Sequence, residues 1–519
     1  MRRRRRIDDR RLAPGQSVGR GAGALLTARI LVAVAGWAGT VVIARRLTPD
    51  AWGGYSFIFG LLGIIGLLVD LQVGRVVLRE VLDKGAAAGQ VVGSYVALRV
   101  IVSAIAYVFA VGFVVVGNYE TEVVWGTVVA GLGFLFVGPA NGITLWFNAR
   151  LLLVPPAVVG IAGALTQLAL VFGFALADVD TLVPYAGTAL ALEMVFLTGM
   201  VTSMFRYGMR IQLRFDAGQW WIWLKESIPL AIGFGLVNLY YKLDLVMLSQ
   251  LDTLAAVGRY GIGYKFADLA SYLPEALLIP VLTLMVAAWP DRVVDVRRHF
   301  RQSFVLLFVA ALAVGVGFAL VAGHAIDLLY GSRYASSADA ARLLVAGACL
   351  QFFSLLCVVT LISVGRNRPY AIAGLIGLAL NAALNFALIP AFSFNGSAVA
   401  TVITEAVVVT LLLLALARIP GVVTIPWDVI ARSALAALAM AAAYLAADRF
   451  APWPVATALA AVVFIAALHL LHAGGPGGLP ALLRNVRFEH DEPIELGPLS
   501  GSDVGTPIPP APTTDRRQQ

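Results

Sequence analysis

Charged side chains interrupt the long apolar stretches of this 519-residue chain at only a few positions. An ionisable group inside a membrane is costly, and it usually faces a cavity, a partner or a transport pathway. Such groups suit the binding of a charged substrate or the exchange of a proton. The residues that we predict to contact a substrate are Arg29, Arg99, Lys242, Asp244, Lys265 and Asp268. The carboxylates that we predict to serve ion coupling are Glu193, Glu275 and Glu405.

The spacing of these residues constrains which of them can act together. Lys265 and Asp268 are three residues apart and therefore share one face of a helix. Glu275 lies seven residues beyond Asp268, on roughly the same stripe. Lys242 and Asp244 are two residues apart, so their side chains diverge and cannot both face one point. Two helices carrying these groups predict either a charged cavity lining or ion pairs between the helices.

Each of these residues also has a purely structural interpretation. Arg29 and Arg99 lie near predicted helix ends, where a long basic side chain can extend to the membrane surface. Glu193 and Glu405 could instead hydrogen-bond neighbouring helices. The roles of all four residues therefore stay open at the level of sequence.

Fourteen apolar stretches are long enough to be membrane-spanning helices, since about 20 residues cross a ~30 Å hydrocarbon core. The chain is 60% hydrophobic and 13% charged, with a mean hydropathy of +0.86. A soluble domain has about 25% charged residues, so we predict an all-α membrane protein. The predicted spans are residues 22–44, 54–73, 90–116, 122–146, 153–177, 181–204, 226–250, 259–288, 302–324, 339–363, 369–391, 396–417, 429–447 and 453–472.

The charges of the connecting loops support this count. Alternate loops are basic, as the positive-inside rule expects of cytoplasmic segments. The loop after the second span holds Arg75 and Arg79, whereas the loops after the fifth and seventh spans hold Asp178 and Asp252. We therefore predict a multi-pass protein of the cell (inner) membrane with both termini in the cytoplasm.

The remaining segments complete the predicted domain organisation. Three tryptophans mark an amphipathic linker in the membrane interface, and a tail rich in proline and glycine is predicted to be disordered. The predicted segments are a basic cytoplasmic N-terminus at 1–21, an N-lobe at 22–204, the linker at 205–225, a C-lobe at 226–417, two accessory spans at 418–472 and a cytoplasmic tail at 473–519.

The sequence lacks the motifs that are typical of several classes of function. There is no phosphate-binding glycine-rich loop, no catalytic triad spacing and no cluster of metal ligands. Cys349 and Cys357 lie in one apolar segment and are interpreted as packing residues. The sequence therefore predicts no enzyme activity, no catalytic residue, no metal or cofactor and no nucleic-acid partner.

Two halves of the chain repeat a short pattern. Residues 47–55 follow the first span and residues 251–260 follow the seventh, and in each an acidic turn leads to Gly, one residue and then Tyr. Each half has six spans, so the halves share one orientation. Parallel repeats of this kind predict two pseudo-symmetric six-helix lobes around a central cavity, with alternating access by rocking of the lobes.

Three motifs resemble those of the polysaccharide-biosynthesis flippases, the O-antigen (Wzx-type) group. Residues 44–55, ARRLTPDAWGGY, look like that group's opening A-R-x-L-x-P-x-x-[FWY]-G-x-Y pattern. Residues 328–334 with 338–344 are similar to its loop between the ninth and tenth spans. Residues 381–390 and 395–405 are similar to its eleventh-to-twelfth-span segment. The resemblance covers residues 22–420 or so.

This resemblance implies membership of the superfamily that also contains lipid II flippases and multidrug and toxin extrusion transporters. The flippase group moves polyprenyl-pyrophosphate-linked oligosaccharides from the inner to the outer leaflet. Arg29, Arg99, Lys242 and Lys265 would then neutralise the phosphate of that cargo. The implied partners are the polyprenyl-linked glycan, membrane lipids and glycan polymerase or glycosyltransferase proteins.

Three alternatives stay open. A proton- or sodium-coupled drug–cation antiporter would favour a carboxylate in the N-lobe cavity, where Glu193 is the only candidate and Arg29 argues against it. A lipid II flippase is the second alternative. A membrane glycan polymerase or ligase, the third, is disfavoured because every predicted outer loop is short. For energy coupling, Asp244 and Asp268 join the three glutamates named above as candidate proton sites.

Overall fold

The computed structural model describes residues 14–70, 72–84 and 88–473. The predicted basic run before residue 14 and the predicted tail after Ala473 lie outside the described residues, as does the side chain of Arg29. Every regular element in the described part of the chain is helical, and none of its residues forms a strand. The prediction of an all-α membrane protein is therefore confirmed.

Fifteen α-helices make up the described chain. They are α1 Pro14–Arg46, α2 Pro49–Asp70, α3 Val73–Lys84, α4 Ala88–Val116, α5 Thr121–Gly131, α6 Gly133–Ala149, α7 Val154–Leu176, α8 Leu182–Arg206, α9 Ala217–Leu251, α10 Leu254–Ala288, α11 Val293–Tyr330, α12 Ser337–Ser363, α13 Arg368–Ala417, α14 Trp427–Ala447 and α15 Trp453–Leu470.

These helices match the fourteen predicted spans closely. Helices α5 and α6 together form one span, and α13 forms two, because its backbone leaves helical geometry at Ser393 (φ 54°, ψ −142°). By length and composition, eleven helices of the described chain can cross a membrane, with α13 counted once and α1 and α9 not among them. Helix α3 is an addition to the prediction, since it lies in a segment that we interpreted as a loop.

Helix α3 forms because its sequence is amphipathic at helical spacing. Val73, Val77 and Val81 recur every four residues and are all buried. Arg75 and Arg79 lie on its other side. The helix packs on α4, α6 and the start of α9. It is too short to cross the membrane, and it therefore lies at the face of the molecule where α2 ends and α4 begins.

The spanning helices pack as two groups and an accessory pair. Helices α1, α2 and α4–α8 form the N-lobe, α9–α13 form the C-lobe, and α14 and α15 pack together on α11. Small residues allow the close approaches within each lobe. A Cβ added to Gly142 would lie 2.6 Å from Val96, and one added to Gly263 would lie 2.9 Å from Ala341. Membrane helices commonly associate through such small residues.

The two lobes meet through the repeated pattern noted in the sequence. A Cβ added to Gly53 at the start of α2 would lie 1.7 Å from the carbonyl oxygen of Leu254 at the start of α10. In the same way, a Cβ added to Gly258 on α10 would lie 2.5 Å from the carbonyl oxygen of Pro49. We call the face where α1 ends and α2 begins the outer face. The backbones of the two lobes touch there, and only glycine fits.

The segment between the lobes lies against the N-lobe. Residues 207–216 are not helical, and α9 then runs without a break from Ala217 into the predicted seventh span. The Trp220 indole donates to Ser94 Oγ at 2.9 Å, and the Trp223 indole donates to Glu80 Oε2 at 2.5 Å. The first turns of α9 are therefore fastened to α3 and α4.

Candidate functional site

A cavity of about 260 Å³ lies between the two lobes. Helices α1, α2 and α7 form one wall, and α9 and α10 form the other. Its polar and aromatic lining residues are Thr40, Trp52, Tyr55, Ser56, Phe59, Gln167, Lys242, Tyr264, Lys265 and Asp268. Its position agrees with the central cavity that the repeated halves predict.

The C-lobe wall contains all the charged side chains among the described lining residues. Lys242 on α9 and Lys265 on α10 are half-buried, and Asp268 lies one helical turn beyond Lys265. The Lys242 ammonium lies 5.9 Å from the centroid of the Tyr264 ring. The structure therefore brings together three of the six predicted substrate residues. Two lysines and one carboxylate form a wall suited to an anion.

The N-lobe wall is neutral over the described residues that line the cavity. Gly36 and Gly39 on α1 leave space there, and Gln167 on α7 adds an amide. The rings of Trp52 and Tyr55 stack with centroids 5.3 Å apart. Trp52 is fully buried behind this wall. The neutral hydrogen-bonding groups of the wall suit a polar, uncharged ligand surface such as a sugar ring.

Asp244 does not line the cavity, although it is on the same helix as Lys242. It is 1% exposed and lies within the C-lobe. Tyr260 and Thr401 donate hydroxyl hydrogen bonds to its Oδ2 at 2.6 and 2.7 Å, and Asn385 donates to its Oδ1 at 2.8 Å. This cluster joins α9, α10 and α13. The separation of Asp244 from Lys242 follows from their two-residue spacing.

Arg99 also lies away from the cavity. It is 5% exposed, and its Nη1 donates to the carbonyl oxygen of Val69 at 3.3 Å, near the end of α2. Its guanidinium lies 6.0 Å from the centroid of the Tyr95 ring. The structure places Arg99 between α2 and α4.

The three predicted coupling carboxylates are dispersed and do not line the cavity. Glu405 is 1% exposed and accepts from Ser354 at 3.4 Å. Glu193 on α8 packs against Gly133, whose added Cβ would lie 3.4 Å from its Cγ. Glu275 on α10 is exposed. They lie on three different helices, α8, α10 and α13.

The outer face of the cleft is closed by side chains from two of the motifs described above. Arg45 donates to the carbonyl oxygens of Leu328 and Leu329, the latter at 2.7 Å. Arg333 donates back to the carbonyl oxygen of Leu47 at 3.2 Å. These bonds tie the end of α1 in the N-lobe to the end of α11 in the C-lobe, in both directions.

Two tyrosines reinforce this closure. Tyr334 donates to the carbonyl oxygen of Ala44 at 3.2 Å, and burial raises the pKa of Tyr334, so its hydroxyl keeps its proton. The hydroxyls of Tyr119 and Ser249 lie 2.8 Å apart across the lobes, and burial also raises the pKa of Tyr119. Ala44 and Tyr334 belong to two of the sequence motifs, but nothing in the motif spacing predicted that these segments contact each other.

Comparisons with known proteins agree with this architecture. The model of a family described as polysaccharide biosynthesis protein matches residues 42–339, more than half of the chain. A curated relative, the probable flippase AglR of Haloferax volcanii, is 29% identical over 172 residues. That match covers 32% of this chain, and it spans 35% of the length of the relative.

Solved structures share the fold at low sequence identity. A lipid II flippase, MurJ, in an inward closed conformation has a TM-score of 0.71 at 13% identity, covering 87% of this chain and 98% of that one. An inward-facing multidrug resistance MATE family transporter of the MOP superfamily has a TM-score of 0.60 at 15% identity, covering 75% and 95%. The chain therefore belongs to the polysaccharide biosynthesis protein family and has the fold of MOP-superfamily transporters.

Proposed function

We propose that this protein is a lipid-linked oligosaccharide flippase. It moves a polyprenyl-(pyro)phosphate-linked glycan from the cytoplasmic to the outer leaflet by alternating access, for cell-surface polysaccharide biosynthesis. The observation that carries this proposal is the central cavity, where one wall holds Lys242 and Lys265 and the described lining residues of the opposite wall are uncharged. Membership of the polysaccharide biosynthesis family supports the same class of cargo.

The two walls divide the recognition of such a cargo between them. Lys242 and Lys265 neutralise the phosphate, because a phosphate crossing a low-dielectric region needs fixed positive charge beside it. Asp268, one turn from Lys265, limits the excess positive charge and favours release. The Gln167 amide replaces water around the first sugar. The lipid tail stays outside, between helices.

The cavity must enlarge to hold this cargo. Its volume of about 260 Å³ is below the range of about 300–1,000 Å³ typical of ligand pockets. Rocking of the lobes about their contact at the outer face would widen it. The closure through Arg45 and Arg333 is then the contact that must break for release to the outer leaflet. We propose that a state closed at this contact loads from the cytoplasmic leaflet.

The direction of transport and the partners belong to the same proposal. Basic loops such as the one with Arg75 and Arg79 support cytoplasmic termini. Glycosyltransferases would supply the cargo on that side, and a glycan polymerase would consume it on the other. Glu193, Glu275 and Glu405 stay as proposed coupling carboxylates, because the cavity does not use them. Arg29 and Arg99 stay as proposed phosphate contacts in a more open state.

A drug–cation antiporter is the second candidate function. Asp268 supports it, because a carboxylate in the cavity wall could bind an organic cation. The fold shared with a multidrug transporter is compatible with it. The two lysines on the same wall oppose it, since they leave that wall with a net positive charge. A lipid II flippase would use the same charges as the first candidate and differ only in the glycan.

The experiment that separates these functions is transport in proteoliposomes. A fluorescent polyprenyl-pyrophosphate sugar is placed in the outer liposome leaflet, and an impermeant quencher is added outside. Molecules that have been flipped to the inner leaflet are protected from the quencher. We expect the wild-type protein to flip the lipid and a K242Q/K265Q variant to lose this activity. The control is R418Q, which removes a positive charge at the end of α13, outside the cavity. Protection from drugs in cells without flipping in liposomes would favour the antiporter.

A further inference from the structure

A second cavity of about 320 Å³ lies in the N-lobe, away from the central cleft. It is on the face opposite the outer face, where α4 begins and α6 ends. Its lining residues are Ala88, Gly89, Gln90, Trp146, Arg150, Gly208, Met209, Arg210 and Gln212. Two of these are arginines, and none is a carboxylate.

The two arginines of this cavity form no ion pair with a described carboxylate, unlike several other arginines of the protein. Arg214, four residues after Arg210, lies 3.5 Å from Asp216, and Arg298 lies 2.6 Å from Asp295. Arg150 and Arg210 form no ion pair with a described residue. Arg150 instead lies over the Trp146 ring, with its guanidinium carbon 5.0 Å from the ring centroid. That stacking holds one positive charge at the cavity without neutralising it.

A buried aromatic ring and the start of a helix border the same cavity. Trp146 is 4% exposed and lines the cavity beneath Arg150. Helix α4 also begins here at Ala88, and the first N–H groups of a helix attract anions.

We propose that this cavity binds a phosphate group, contributed by an anionic phospholipid of the cytoplasmic leaflet. Arg150 from the end of α6 and Arg210 from the segment between the lobes approach the phosphate from two sides. The site is at helix ends, at the depth of lipid head groups. A bound head group would join the segment carrying Arg210 to the N-lobe, where Gln212 N already donates to Gly89 O at 3.3 Å.

The test is the thermal stability of the purified full chain in detergent with three added probes. These are a short-chain phosphatidylglycerol, the matching phosphatidylcholine and inorganic phosphate. We expect phosphatidylglycerol to raise the melting temperature of the wild type. In R150Q/R210Q, the concentration needed for half the shift should rise by about tenfold or more, because two charge-assisted contacts are lost. The matched control R214Q removes an arginine already paired with Asp216 and should respond as the wild type does.

A third variant tests the aromatic ring beneath Arg150. W146L removes that ring, and we expect an intermediate weakening because Arg150 loses its stacking partner. If inorganic phosphate stabilises the wild type but not R150Q/R210Q, the site holds and its phosphate comes from a free anion. An equal response to phosphatidylcholine, or an unchanged response in R150Q/R210Q, would overturn the proposal. Should R150Q/R210Q fail to fold, the same measurements on W146L and on the single variants R150Q and R210Q decide whether the site binds the head group.

Discussion

The two walls of the central cavity are built from related halves of the chain and have opposite chemistry. The C-lobe wall carries Lys242, Lys265 and Asp268, whereas the described lining residues of the N-lobe wall are uncharged. The halves meet through matching glycines at Gly53 and Gly258, so their backbones keep the repeat. The repeat therefore preserves this backbone contact between the lobes, while the side chains facing the cleft have diverged. This asymmetry is what a cargo with one charged end and one neutral end requires.

Reversing the charges of the C-lobe wall should have the largest effect. In K242E/K265E, three carboxylates would face the phosphate, and each lost charge-assisted contact is worth about 1.5–3 kcal/mol. We expect lipid-linked glycan flipping in proteoliposomes to fall by about 100-fold or more. The control K225Q alters a lysine of α9 that does not line the cavity. Flipping at the wild-type rate in the double reversal would show that this wall does not bind the cargo.

Widening the contact between the halves should have the next largest effect. G53A places a Cβ 1.7 Å from the Leu254 carbonyl oxygen, so the outer face cannot close as it does here. We expect transport to fall by about tenfold, since even about 1.4 kcal/mol against the closed state shifts its population by that factor. Labelling of a T40C cavity cysteine by an impermeant maleimide from outside should increase.

The control for that variant is G112A. A Cβ on Gly112 meets nothing within 4 Å, so the same substitution there has no steric consequence. We expect wild-type labelling and transport. Equal effects of G53A and G112A would contradict the role assigned to the glycine contact.

The two aspartates of the C-lobe should respond in different ways. In D244N, an amide replaces a carboxylate that accepts three hydrogen bonds, which costs about 1–3 kcal/mol of stability. D268N changes only a group facing the cavity. We therefore expect D244N to lower the melting temperature in detergent and D268N to leave it unchanged while altering substrate affinity. The opposite order would place Asp268, not Asp244, in the structural cluster.

The smallest effect should come from the neutral wall. Q167L removes one amide from the N-lobe side without changing charge, and a single neutral hydrogen bond is worth about 0.5–1.5 kcal/mol. We expect a weaker apparent affinity for the glycan lipid, by about threefold, with an unchanged maximal rate. A loss as large as that of K242E/K265E would mean that the two walls do not divide the cargo as proposed.

Much of the architecture was predictable because its signals are local. Span length and loop charge predicted the helices, and the three-residue spacing of Lys265 and Asp268 predicted their shared face. Helix α3 was missed because twelve residues of amphipathic sequence between two spans carry a weaker signal than the spans themselves. The break in helical geometry at Ser393 agrees with the predicted pair of spans.

Which charged residues face the cavity was only partly predictable. Arg99 and Lys242 have similar contexts in the sequence, yet Arg99 contacts the end of α2 and Lys242 lines the cleft. The difference depends on the rotation of each helix about its axis, which long-range packing determines. The bonds of Arg45 and Arg333 to carbonyls across the lobes depend on the same packing. A backbone carbonyl can belong to any type of residue, so the sequence does not indicate which carbonyls these arginines will contact.

The most direct test of the central claim is a binding measurement by native mass spectrometry. The probe is a short-chain prenyl-pyrophosphate sugar, compared with the same prenyl sugar lacking phosphate. We predict that the wild type prefers the pyrophosphate form by about tenfold or more, as two charge-assisted contacts would give. K242Q/K265Q should bind both forms equally. An unchanged preference in that variant would contradict the assignment of the phosphate to the C-lobe wall.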